Sequence, residues 1–134
     1  MHHWEFNHGA SYFREEAAST NDEAAIQLTT LDSMDFGSRV DFVKIDVEGF
    51  ETKVLRGASS FFKRYRPVVT SEVFPHVLRG SGGSSAQEYL ELWENYGYEI
   101  RLFDGAENAR VLRSTDLSDE QACGPLFNIV CLPR

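Results

Sequence analysis

Residues 40–50 read VDFVKIDVEGF. Val40, Phe42, Val43, Ile45 and Val47 give this stretch the aromatic and β-branched character of a buried strand, and the pattern predicts one over 40–47. Lys44, Asp46 and Glu48 interrupt it at alternate positions, so in an extended chain they share a face with Val40 and Phe42. Unpartnered charges are too costly to bury together in a core. The conflict resolves if the strand's carboxyl end opens onto a crevice, the place where open α/β sheets bind ligands. Asp46 and Glu48 are the last residues before Gly49 and a predicted helix, so they fall at that opening. Lys44 lies one step deeper and is placed to neutralise one of them.

The neighbouring segments supply the layers around such a strand. From Phe50, the residues Val54, Leu55, Ala58, Phe61, Phe62 and Tyr65 trace one helical face, with Gly57 expected to weaken or bend the helix and Arg66-Pro67 to end it. PVVTSEVF, 67–74, reads as a second strand. GSGGSS, 80–85, is a loop by composition, without the spacing of a phosphate-binding motif, and suits a lid over the crevice. Ser85 to Glu88 forms a capping box for a helix whose core stripe is Ala86, Tyr89, Leu90, Trp93 and Tyr96, with Gly97 at its end. YEIRLF, 98–103, alternates as a half-buried strand, Asp104-Gly105 turns the chain, and FNIVCLP, 127–133, is a last strand with Cys131 on its buried side. Upstream, 1–25 is polar and irregular with a weak capping box at Thr20–Glu23, a short strand is expected at 26–31, and Asp32 or Ser33 can cap one helical turn. Strands joined by helices imply parallel pairing through right-handed crossovers, whereas the last two strands, with no helix between them, pair antiparallel. The expected fold is therefore a single α/β domain over 1–134.

Glu72 repeats the theme near the carboxyl end of the second strand. If the two strands are neighbours, Glu72 lies close to Asp46, and His76 can join them. Clustered carboxylates at adjacent strand ends can hold a divalent metal, accept a proton from a hydroxyl, or bind a cation. Plainer roles remain open for each residue. Asp46 can begin the turn, Glu48 can serve the helix N-terminus, Lys44 can be a structural ion-pair partner, Glu72 can pair with Lys44 or Arg66, and His76 can be a loop histidine. Other functions are easier to set aside. A formal charge of −8 over 134 residues argues against nucleic acid as a partner. Cys123 and Cys131 form no CxxC pair, so no zinc motif is present. No apolar run approaches the ~20 residues of a membrane span, and MHHWEFNHGA is not a signal peptide, so a cytoplasmic protein is expected.

TTLDSM, VDFVKIDVEGFETKVLRGA and RPVVTSEVF together resemble the FkbM family of S-adenosylmethionine-dependent methyltransferases. The match is strong over about residues 28–75, and FNIVCLPR resembles the family's final strand. The resemblance implies a partial Rossmann-like methyltransferase sheet, with Asp46 ending its fourth strand beside the methyl donor and the acceptor. It implies S-adenosylmethionine as cofactor, bound in part by Asp46, and methylation of a hydroxyl on a small molecule or sugar. The family's earlier glycine-rich turn and ribose-binding acid have no counterpart here. The chain is therefore expected to be the C-terminal part of such a domain, with the exposed edge of strand 40–47 covered by a partner chain, by self-association, or by the rest of a longer gene product. The alternative expectation is a truncated, non-catalytic module that binds a partner chain or a small polar ligand.

Overall fold

The computed structural model describes residues 28–103, 109–117 and 126–134. The capping box at Thr20–Glu23, the turn at Asp104-Gly105 and Cys123 lie outside them. Five strands form one sheet: β1 (Phe42–Ile45), β2 (Val68–Val73), β3 (Tyr98–Phe103), β4 (Val111–Leu112) and β5 (Phe127–Pro133), in the spatial order β1-β2-β5-β3-β4. β1 and β2 pair parallel, with Lys44 opposite Thr70 and Ile45 opposite Ser71. β5 runs antiparallel to both β2 and β3, and β4 antiparallel to β3.

The antiparallel last strand matches expectation, but the largely parallel sheet does not. β1, β2 and β3 point the same way, yet among the described residues only one parallel pair forms, because β5 inserts between β2 and β3. A helical crossover fixes the direction of the strand it leads to and leaves open whether that strand is adjacent. The helix between β2 and β3 spans two strand positions, and the apolar side of β5 (Phe127, Ile129 and Cys131) fills the gap.

Burial alternates along β2, with Val69, Ser71 and Val73 turned inward. That face packs against α1 (Glu51–Arg56), α2 (Ser59–Tyr65) and α4 (Ala86–Asn95) through Leu55, Phe62, Tyr89, Leu90 and Trp93, all fully buried. Cys131 joins this core as expected, and burial pushes its thiol pKa up. The opposite face carries Phe42, Phe103 and Val111, which are 57%, 56% and 41% exposed. Among the described residues no helix is long and apolar enough to cross a membrane.

The predicted helix from Phe50 to Tyr65 is two helices, broken at Gly57 and Ala58. The segment expected to be strand accounts for the break. Residues 28–30 are irregular and Leu31–Ser33 is a single 3₁₀ turn. This turn packs into the joint: the Asp32 amide donates to the Gly57 carbonyl (3.0 Å), and the Asp32 carboxylate accepts from the amides of Ser60 (3.1 Å) and Phe61 (2.7 Å). A side chain at Gly57 would crowd Thr30, whose Cγ2 lies 3.0 Å from the position its Cβ would take. Asp32 thus caps a helix 28 residues away rather than its own turn.

Arg66, which ends α2 in a left-handed conformation, donates to the carbonyls of Tyr96 (2.7 Å), Gly97 (3.0 Å) and Arg134 (2.9 Å) and lies 4.8 Å above the Tyr98 ring. The glycine-rich loop is also more ordered than composition suggested. After the single turn α3 (Pro75–Val77), Leu78–Gly82 forms a π-helical turn. The capping box of α4 is as expected, with the Glu88 amide donating to Ser85 Oγ at 3.0 Å.

Candidate active site

The β1–β2 register places Asp46, one residue past β1, level with Glu72 on the sheet face away from the helices. Lys44 Nζ binds Asp46 Oδ2 at 2.7 Å, with both side chains substantially exposed. This bond, and Asp46's charge with it, raises the Lys44 pKa, and Glu72 adds a smaller push. Partial burial raises the Glu72 pKa above the ordinary glutamate value, and the charges of Asp46 and then Glu48 raise it further. Lys44 opposes this rise and Glu51 adds to it. Lys44, Asp46 and Glu72 thus lie together at one end of the sheet, and the charge of Glu48, in the adjoining turn, reaches Glu72.

His76 is not drawn into this group by any contact: it is exposed on α3, its ring 6.4 Å from that of Phe74. Arg66 is committed to three carbonyls, so of the two cations considered as partners for Glu72 only Lys44 acts on it. Among the described residues no group of three or more His, Cys, Asp or Glu side chains is arranged to hold a metal ion.

Two supports hold the strand ends in place. Beneath Glu72, the Tyr89 hydroxyl donates to Ser71 Oγ (2.9 Å), which donates to the Glu72 carbonyl (3.1 Å). Burial pushes the Tyr89 pKa up, so the phenol stays protonated as donor. Beneath Asp46 and Glu48 lies Glu51, a residue outside the expected site. It is 3% exposed in the first turn of α1, and its Oε1 accepts from the amides of Gly49 (3.1 Å) and Val47 (3.4 Å). The sequence signal was a glutamate at a buried helical position three residues after Glu48, where a solvated side chain would be the rule.

The turn itself is tight. Glu48 has φ +51°, in the left-handed region that non-glycine residues avoid, and Gly49 has φ +98°. Gly49 also needs its bare Cα: an added Cβ would sit 2.7 Å from the Val77 carbonyl oxygen.

A family model described as the methyltransferase FkbM domain matches residues 3–100, well over half of the chain. The chain belongs to the FkbM methyltransferase family. No curated protein and no solved structure matches it. Membership of this family points to methyl transfer as the general activity. In this mixed α/β sheet the acidic cluster stands at the carboxyl ends of β1 and β2, the side of an open α/β sheet on which ligands commonly bind. Chemically, these groups can accept a proton at Glu72 and face a positive charge with the carboxylates around it.

Proposed function

We propose that the chain takes part in S-adenosylmethionine-dependent methylation of a hydroxyl oxygen on a small molecule or sugar, with Asp46 and Glu72 as the working carboxylates. The observation that carries this reading is the register that sets Asp46 level with Glu72 at adjacent strand ends, where partial burial and then the charges of Asp46 and Glu48 raise the Glu72 pKa. A carboxylate whose pKa is raised is a better base toward a hydroxyl proton, and Glu72 takes that proton as the acceptor oxygen reacts. Asp46, oriented by Lys44, and Glu48 provide negative charge. When bound, S-adenosylmethionine supplies a methyl group activated by a positively charged sulfur. The cluster fits that end of the donor: among the described residues whose charges act on Glu72 are Asp46, Glu48 and Lys44, so negative charge gathers where a sulfonium would balance it. Asp46, Glu48 and Glu72 would face the sulfonium, and positioning would provide most of the acceleration.

Titration calorimetry with the donor and with its product S-adenosylhomocysteine, whose sulfur is neutral, tests this reading. Replacing Asp46→Asn or Glu72→Gln is expected to weaken the cationic donor by about tenfold, while the product stays within about threefold. In a methyl-transfer assay Asp46→Asn is expected to fold and lose turnover. Equal weakening of both ligands, or no donor binding by the wild type at millimolar concentration, would contradict the proposal. A second reading rests on the exposed Phe42 and Phe103 of the open sheet face: a non-catalytic module that binds a partner chain or a small polar ligand. Absence of donor binding together with a stable oligomer would favour it.

A further inference from the structure

We propose that Glu51 is a positioning residue for the carboxylate cluster: by accepting the Val47 and Gly49 amides it fixes the turn that keeps Asp46 and Glu48 beside Glu72. The inference deepens the proposed function and rests on it for the turnover readout alone.

The turn is held from two sides. On one side Glu51 Oε1 takes both amides, at 3.4 and 3.1 Å, from a side chain that is 3% exposed. On the other side stands the backbone of α3 and the π-helical turn. The Val77 carbonyl closes against Gly49, and a Cβ added to Gly82 would lie 2.1 Å from the Gly49 carbonyl oxygen. Between these walls Glu48 is kept at φ +51°. A left-handed non-glycine residue costs on the order of 1–3 kcal/mol and persists only where its surroundings over-determine it.

Glu51 is a costly choice for structure alone. Its second oxygen, Oε2, is buried and has no hydrogen-bond partner among the described residues. Buried carboxyl oxygens are rarely left so. What the position requires is reach, because an oxygen must extend from the first turn of α1 back to two amides that precede the helix. Glutamine offers the same reach without charge. Aspartate offers the charge but is one methylene shorter.

That contrast sets the test, with Glu51→Gln and Glu51→Asp made in the whole chain. Two readouts are taken: steady-state methyl transfer, and backbone amide exchange at Val47 and Gly49 by NMR. Because positioning depends on reach, kcat of Glu51→Asp is expected to fall at least about tenfold below that of Glu51→Gln with KM for the donor little changed. The two amides should be protected in wild type and Glu51→Gln and exchange faster in Glu51→Asp. The reverse order of kcat would show that charge matters and not the turn, and would overturn the proposal. Equal protection of the amides in all three proteins would also overturn it. If the wild type itself shows no turnover, the methyl-transfer reading falls, and amide exchange still decides the role of Glu51.

Discussion

At Glu72 the cost of the cluster is measurable. Its native-state pKa lies above the ordinary glutamate value, so the folded protein holds this proton more tightly than the unfolded chain does. The ionised side chain therefore destabilises the fold at neutral pH. That cost is complete above the native pKa, shrinks as pH falls through it, and vanishes below the unfolded value. Glu72→Gln is expected to raise stability at pH 7 slightly, by less than about 1 kcal/mol, because solvent screens charges at this partly exposed position. Urea melts across a pH series should show the gain disappearing toward acid, and a gain that is independent of pH would contradict the mechanism. The proximity of Asp46 and Glu72 was legible in the sequence because parallel strands bring alternate residues of one face together, and both stand at strand ends. Glu51 was legible as an acid on the buried helical stripe, but its partners were not. It bonds to main-chain amides, and a pattern of side-chain types carries no record of such partners. Arg66 escaped for the same reason, since its three acceptors are all carbonyls.

Strands and helices were readable to the extent that one periodicity governed them. β3 and β5 have the predicted limits and α4 begins at its predicted cap, because alternation or a helical stripe runs unbroken through each. The Phe50–Tyr65 stripe also runs unbroken, but its helix does not. Periodicity reports which face is buried, and α1 and α2 bury a common face on either side of a break. Gly57 marked the weak point, while the cause of the break lies in Asp32, far away in sequence. Asp32→Ala removes the cap of α2 and is expected to cost about 1 kcal/mol, within the usual range for an N-cap. Equilibrium urea unfolding measures it. An unchanged midpoint would mean that packing alone holds the joint between the two helices.

For the molecule as a whole, strand directions could be read from the sequence and strand adjacency could not. The directions of β2, β3 and β5 followed from whether a helix or a loop preceded each, whereas β4 was not foreseen and the insertion of β5 between β2 and β3 depends on which gap the finished helix layer leaves. The FkbM resemblance, carried by residues that build the β1–α1 turn, the α2 cap and β2, agrees with the family match. Those same residues set the ends of β1 and β2 side by side and gather carboxylates there whose charges act on Glu72. Whether these acids form one interacting unit is tested most directly by following the Glu72 side-chain carboxyl through a pH titration with carbon-13 NMR, in wild type and in Asp46→Asn. Glu72 should titrate above an ordinary glutamate in the wild type and move down toward that value when Asp46 loses its charge. An ordinary midpoint in the wild type, or a raised one that Asp46→Asn leaves in place, would contradict the shared site.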